Sequence, residues 1–225
     1  MQKAIIMPAT IYRIQNFLAT PSSSIYPDFF FIDTSFLINS LLPVLLPGIP
    51  TTKNKQCGDF LQVLEAKAKK NEVALYTCDN VINEFFNYIL KKSVEQNDLS
   101  NPPLNSHQTL YQTNKRSPIV QIFKDHPDLV TKYYPVIEYY YRYLLSIPLA
   151  ILDHDLLKSS GLGITDKMSE LIRDFQIMPA DALNIATAWK VGIKDILAID
   201  FDYHRVDGIN IYTSLGKQIK ICRCP

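Results

Sequence analysis

Short apolar runs and helical periodicities alternate along most of the chain. Asp28-Phe29-Phe30-Phe31-Ile32-Asp33 is apolar and aromatic, bounded by Pro27 and by the polar Asp33-Thr34-Ser35. Such a run predicts a buried strand, with Asp33 where it leaves the sheet and Thr34 or Ser35 starting a helix. That helix is expected over 35–42, ending before Pro43. Residues 59–70 read as an amphipathic helix with Phe60, Leu61, Leu64 and Ala68 inward and Lys67, Lys69 and Lys70 outward. A second strand follows at 73–76. Thr77 or Asp79 caps the next helix, which carries Glu84 beside the apolar face of Val81, Ile82, Phe85, Phe86 and Ile89.

From about 93 to 116 the composition turns to Asn, Ser, Gln, Pro and Thr, which predicts a loop or mobile insertion. His126-Pro127 opens a helical region, interrupted or kinked at Pro135 and crowded with Tyr133, Tyr134, Tyr139, Tyr140, Tyr141 and Tyr143. Residues 149–152 read as a third buried strand, with Asp153 as a helix cap after it. Thr165 caps a helix to about Phe175. The strongest helix–strand unit comes last: Pro179 suits a first helical turn, and Ala182, Ile185, Ala186 and Trp189 recur at helical spacing. Gly192 is placed to stop the helix, and 196–200 is a buried strand ending on Asp200. A final strand is expected at 209–212. Alternating strands and helices predict an α/β fold: a small, mostly parallel sheet with helices on both faces, helix-rich overall.

Composition narrows this little. At 47% hydrophobic and 20% charged the chain is an ordinary globular protein, and a net charge of +1 excludes gross attraction to nucleic acid while allowing a local basic face. The four cysteines form no C-x-x-C framework, which favours free thiols in a reducing, cytoplasmic setting, and Cys222-Arg223-Cys224 lacks partner ligands for zinc. No apolar run is long enough to span a bilayer, so no membrane partner is expected. The first 27 residues are read as an extension, either a short appended strand or a frayed leader. The tyrosine stripe suits core packing or a homodimer interface better than a platform for stacked bases.

Four acids occupy comparable places: Asp33 after the first strand, Glu84 in the helix after the second, Asp181 opening a helix, and Asp200 closing a strand. A parallel sheet gathers strand ends at one edge, where α/β folds put their sites. Carboxylates held close together at neutral pH require protonation or a cation, and hard oxygen ligands suit Mg²⁺ or Mn²⁺. Taken singly, each acid reads better as a helix cap or a surface group. No serine or cysteine nucleophile motif, phosphate-binding glycine loop or H-E-x-x-H helix competes.

The blocks Phe31-Ile32-Asp33-Thr34-Ser35, Val81-Ile82-Asn83-Glu84-Phe85, Pro179-Ala180-Asp181-Ala182-Leu183-Asn184-Ile185-Ala186-Thr187-Ala188 and Leu197-Ala198-Ile199-Asp200-Phe201-Asp202-Tyr203 resemble, in order, those of the PIN-domain nucleases, in particular VapC-like toxins of toxin–antitoxin pairs. The resemblance implies a PIN-like three-layer sandwich over 28–225, with residues 1–27 and a polar insertion near 93–127 as additions. It implies that Asp33, Glu84, Asp181 and Asp200 bind Mg²⁺ or Mn²⁺ and cleave RNA. Thr34, Ser35 and Asp202 match supporting positions, and an antitoxin protein is an implied partner. Two alternatives stand beside it: a non-catalytic PIN-like module that binds RNA or protein, and a haloacid-dehalogenase-type phosphoryl-transfer enzyme. The second fits poorly, because Asp33-Thr34-Ser35 lacks an acid two residues on.

Overall fold

The computed structural model describes residues 9–45, 51–98, 118–153 and 163–215. Its strands are β1 (Thr10–Arg13), β2 (Phe29–Ile32), β3 (Ala74–Cys78), β4 (Leu149–Leu152), β5 (Asp195–Leu197) and β6 (Asn210–Thr213). They form one sheet in the order β1-β6-β5-β2-β3-β4, and every neighbouring pair is parallel. Among the described residues the helices are α1 (Ile14–Ala19), α2 (Thr34–Leu45), α3 (Thr52–Ala68), α4 (Asp79–Asn97), α5 (Pro118–Asp125), α6 (Asp128–Ser146), α7 (Ile164–Phe175) and α8 (Pro179–Lys190). A 3₁₀ turn covers Asp202–Arg205.

Two compact units divide the chain: residues up to Ile82 together with those from Pro148 onward, and Asn83–Ile147. The first holds the whole sheet. Parallel crossovers are right-handed almost without exception, so the direction of each step decides which face its helices cover. The β2-to-β3 step, through α2 and α3, and the β4-to-β5 step, through α7 and α8, run in opposite directions across the sheet. The two helix pairs therefore cover opposite faces, and each pair packs together, with α1 joining α3. This is the three-layer α/β arrangement expected from the alternation. Phe30, Phe31, Ile32, Ile196, Leu197 and Ile211 are buried in the middle strands, as strands covered on both faces require.

Several local expectations change. Helix α2 does not stop at Pro43 but runs to Leu45. Proline there leaves the Asn39 carbonyl without its usual helical donor, and that carbonyl instead accepts from Asn54 Nδ2 at 3.3 Å. Helix α3 begins well before residue 59, because Thr51 caps it by accepting from the Asn54 N–H at 3.2 Å. Helix α6 continues through Pro135, whose orphaned acceptor on Thr131 lies at an exposed position. Strand β4 is an edge strand, half-exposed to exposed along its length, and not a buried one. Gly163 rather than Thr165 precedes α7, with no side-chain cap. Thr77 caps nothing: it is buried and its hydroxyl donates to the Ile32 carbonyl at 2.9 Å, tying β3 to β2.

Residues 10–13 of the amino-terminal segment are part of the sheet, because β1 pairs with β6 in register Thr10↔Asn210 to Arg13↔Thr213. Aromatic rings fill this side: Tyr12 stacks on Tyr212 at 4.8 Å, and Phe17 meets Tyr26, Phe60 and Tyr212 at 5.4–5.8 Å. Gly192 ends α8 at φ +80, where the N–H groups of Gly192 and Ile193 return to the Trp189 and Ala188 carbonyls. That double closure needs a left-handed residue, which glycine adopts without strain.

In the second unit, Val94, Ile122, Leu129 and Tyr133 form a core with Leu90, Phe123 and Val136 against it. Helix α4 extends to Asn97, so the polar stretch begins later than its composition suggests; residues 99–117 lie outside the described residues. The tyrosine stripe divides. Tyr133 and Tyr140 are buried, and the Tyr133 hydroxyl donates to Asp98 at 2.5 Å, whereas Tyr134, Tyr139 and Tyr141 are exposed.

Candidate active site at the carboxyl edge of the sheet

The order of connection reverses between β2 and β5: β2 leads outward to β3, and β5 leads the other way to β6. Loops that diverge at such a point leave a crevice at the carboxyl ends of the strands. Asp33 opens it. Its N–H continues the ladder by donating to the Leu197 carbonyl at 3.0 Å, and its own carbonyl accepts from the Leu37 N–H to start α2.

The Asp33 side chain does two things at once. Oδ2 accepts from the Ser35 N–H at 3.0 Å and the Ser35 hydroxyl at 2.7 Å, which is an N-cap on α2. A cap alone would leave the other oxygen in solvent. Instead Oδ1 accepts from Asn184 Nδ2 at 3.2 Å and the Tyr203 hydroxyl at 2.5 Å, and the residue is only 2% exposed. Four donors therefore fill the roughly four acceptor sites that a carboxylate offers.

Each donor is itself fixed. The Ser35 hydroxyl accepts from the Ile199 N–H at 2.9 Å, binding the exit of β5 to the start of α2. Asn184 is fully buried on α8, and its Oδ1 takes Asn80 Nδ2 at 2.8 Å and the Cys78 thiol at 3.5 Å. Burial pushes that thiol up to about 12, so it stays protonated and donates. Tyr203 is completely buried at the 3₁₀ turn. Its hydroxyl is raised well above the usual phenol range, first by burial, then by the charges of Asp33 and Asp181.

The expected site residues thus fall into three groups. Asp33 and Ser35 are joined directly to Asn184 and Tyr203. Asp181, half-buried in the first turn of α8, lies one turn before Asn184 on the same helix face and acts electrostatically on Tyr203. Thr34 is half-buried at the start of α2. Asp200 is exposed, three residues beyond β5 rather than closing it, and Oδ1 accepts from the Asp202 N–H at 3.0 Å. Its charge faces Lys53, whose ammonium is lowered by burial, and His204. Asp202 pairs with Arg205 at 3.0 Å within the 3₁₀ turn, which gives it a structural role. Glu84 sits half-buried on α4 in the second unit.

Among the described residues, no three His, Cys, Asp or Glu side chains gather closely enough to hold a metal ion. In chemistry the donors nevertheless fit a hard divalent cation: Asp33, Asp181 and Asp200 offer carboxylate oxygens, and no soft ligand intervenes except a protonated thiol. The constraint is occupancy, because Asp33 has no lone pair free. A cavity of about 400 Å³ lies elsewhere, against Ile164, Lys167 and Trp189, and includes none of these residues.

Asn184 and Tyr203 were not singled out in the sequence, although both lie in the blocks quoted. For Asn184 a signal existed: an amide amid Ala182, Ile185 and Ala186 on an apolar helix face must find buried partners. Tyr203 carried none, since an aromatic residue after a strand reads equally as packing. No protein-family model matches the chain, and no curated protein matches it.

Proposed function

We propose that the chain is a metal-dependent endoribonuclease that hydrolyses RNA phosphodiester bonds at the β2–β5 crevice, and that it is the toxin of a toxin–antitoxin pair. The observation that carries this reading is the Asp33 carboxylate, held buried at the topological switch point by Ser35 beside it and by donors from two distant segments. The resemblance of the four sequence blocks to PIN-domain nucleases supports it.

In this reading Asp33, Asp181 and Asp200 hold Mg²⁺ or Mn²⁺, and Glu84 enters through the resemblance alone. A bound cation lowers the pKa of a coordinated water and offsets charge on the phosphoryl oxygens. The remaining work belongs to the chain. Ser35 fixes Asp33 against both α2 and the β5 exit. Asn184 carries the position of α8, and with it Asp181, to Asp33. Lys53 supplies a positive charge beside Asp200 for a backbone phosphate.

The test is cleavage of single-stranded RNA by the full chain in Mn²⁺, with chelator and with Asp181→Asn. Asp181 is the better choice than Asp33, which also caps a helix. Cleavage is expected only with metal, and Asp181→Asn lowers it on the order of a hundredfold. RNA binding without metal-dependent cleavage would replace this reading with the non-catalytic module.

A further inference from the structure

Asp33 can take a cation only if one of its four donors lets go, and the donors differ in how free they are to do so. The Ser35 N–H is backbone in the first turn of α2. The Ser35 hydroxyl keeps the Ile199 N–H on its oxygen when its proton turns, but like the Ser35 N–H it serves Oδ2, whereas Oδ1 is the oxygen that α8, the helix of Asp181, reaches through Asn184. Asn184 cannot rotate its amide away without abandoning Asn80 and Cys78 behind it. Of the two donors to Oδ1, Tyr203 is the one that yields by turning a single C–O bond, its ring staying where packing holds it.

We propose that Tyr203 governs cation entry to this site: its hydroxyl saturates Asp33 Oδ1 in the cation-free protein and turns away when a divalent cation takes that oxygen. The proposal rests on the metal-dependent reading of the crevice and specifies which bond opposes the metal. Tyr203 is thereby a positioning residue that sets affinity, and no step of hydrolysis passes through it. Every cation bound at Asp33 first displaces a 2.5 Å hydrogen bond to a buried oxygen. Tyr203→Phe keeps the buried ring and removes that competitor, leaving Asp33 with three donors and one open acceptor site.

Binding of Mn²⁺ to the full chain, read from the electron-spin-resonance signal of free Mn²⁺ without RNA, tests this. Tyr203→Phe is expected to bind about tenfold more tightly than the unsubstituted chain, the scale set by one hydrogen bond to a charged group. A merely structural tyrosine would leave affinity unchanged or lower it. Equal or weaker binding in the variant overturns the proposal and leaves the nuclease reading standing. Absence of Mn²⁺ binding in both chains overturns the two together, whereas binding in the variant alone supports the gate in its strongest form. Where Tyr203→Phe fails to fold, the unsubstituted protein suffices: the buried Tyr203 hydroxyl proton, followed by NMR in tyrosine-labelled protein, is expected to shift or vanish at saturating Mg²⁺. A resonance that Mg²⁺ leaves in place overturns the proposal.

Discussion

Strands β2 and β5 are neighbours in the sheet and each is followed by an aspartate, yet the two carboxylates live in opposite conditions. Asp33, directly after β2, is buried and accepts from a backbone amide, two hydroxyls and an amide side chain. Asp200, three residues beyond β5, is exposed and accepts from the N–H of Asp202 in a local turn. The difference follows from what comes next in each segment. Asp33 runs straight into α2 and must cap it, which draws the carboxylate under the helix end. Asp200 enters a short 3₁₀ turn that needs no such cap, and its side chain is left facing Lys53 and His204. Two acids that follow neighbouring strands therefore carry different loads: Asp33 is built into the structure, and Asp200 is left at the surface.

The largest effect should come from Asp33→Asn. An asparagine supplies one oxygen and one amino group, so whichever way it faces, one obligate donor, the Ser35 N–H or Asn184 Nδ2, meets a donor, while the hydroxyl beside it can turn to accept. Left unpaired, that donor is expected to cost about 1–3 kcal/mol of stability, measured as the shift in urea midpoint at constant slope. A loss below ~0.5 kcal/mol would mean that the four-donor cradle is not maintained in solution.

A smaller, pH-dependent effect is expected beside Asp200. His204 is buried with both ring nitrogens lacking a hydrogen-bond partner, and burial lowers its pKa against the opposing charge of Asp200. A depressed folded-state pKa means that the unfolded chain binds the proton more readily. Stability is thus complete above the unfolded value of about 6.5 and falls as pH drops through it. Thermal melts from pH 7.5 to 5.5 should show this decline, and His204→Phe should flatten it. The smallest effect is Asp200→Asn, expected to change stability by less than about 0.5 kcal/mol while impairing RNA cleavage. A large destabilisation there would erase the contrast between the two strand ends.

Some of this is legible in the amino-acid sequence alone. The Phe29–Ile32 run, the Pro179 start and the Gly192 stop each rest on local chemistry that tertiary context had no reason to override. Pro43 and the entry to α3 escape a local pattern together, because the side chain that relieves the Asn39 carbonyl comes from Asn54, 15 residues on. The apolar residues at 149–152 spelled a strand correctly but not its place at the sheet edge, since burial depends on neighbours supplied by other segments. The acids were visible as candidates. Their environments were not: the donors that distinguish Asp33 from Asp200 stand 151 and 170 residues away in the chain.

Those separations bear on how the molecule comes to exist. Parallel pairing of β2 with β5, and of β1 with β6, joins segments from opposite ends of the described sequence. Closing loops of that length makes folding slow, and the early strands must wait with open edges. During synthesis the crevice cannot assemble until β5 and Tyr203 have left the ribosome. A nascent chain with Asp33, Ser35 and α2 already made still lacks the partners that bury the Asp33 carboxylate.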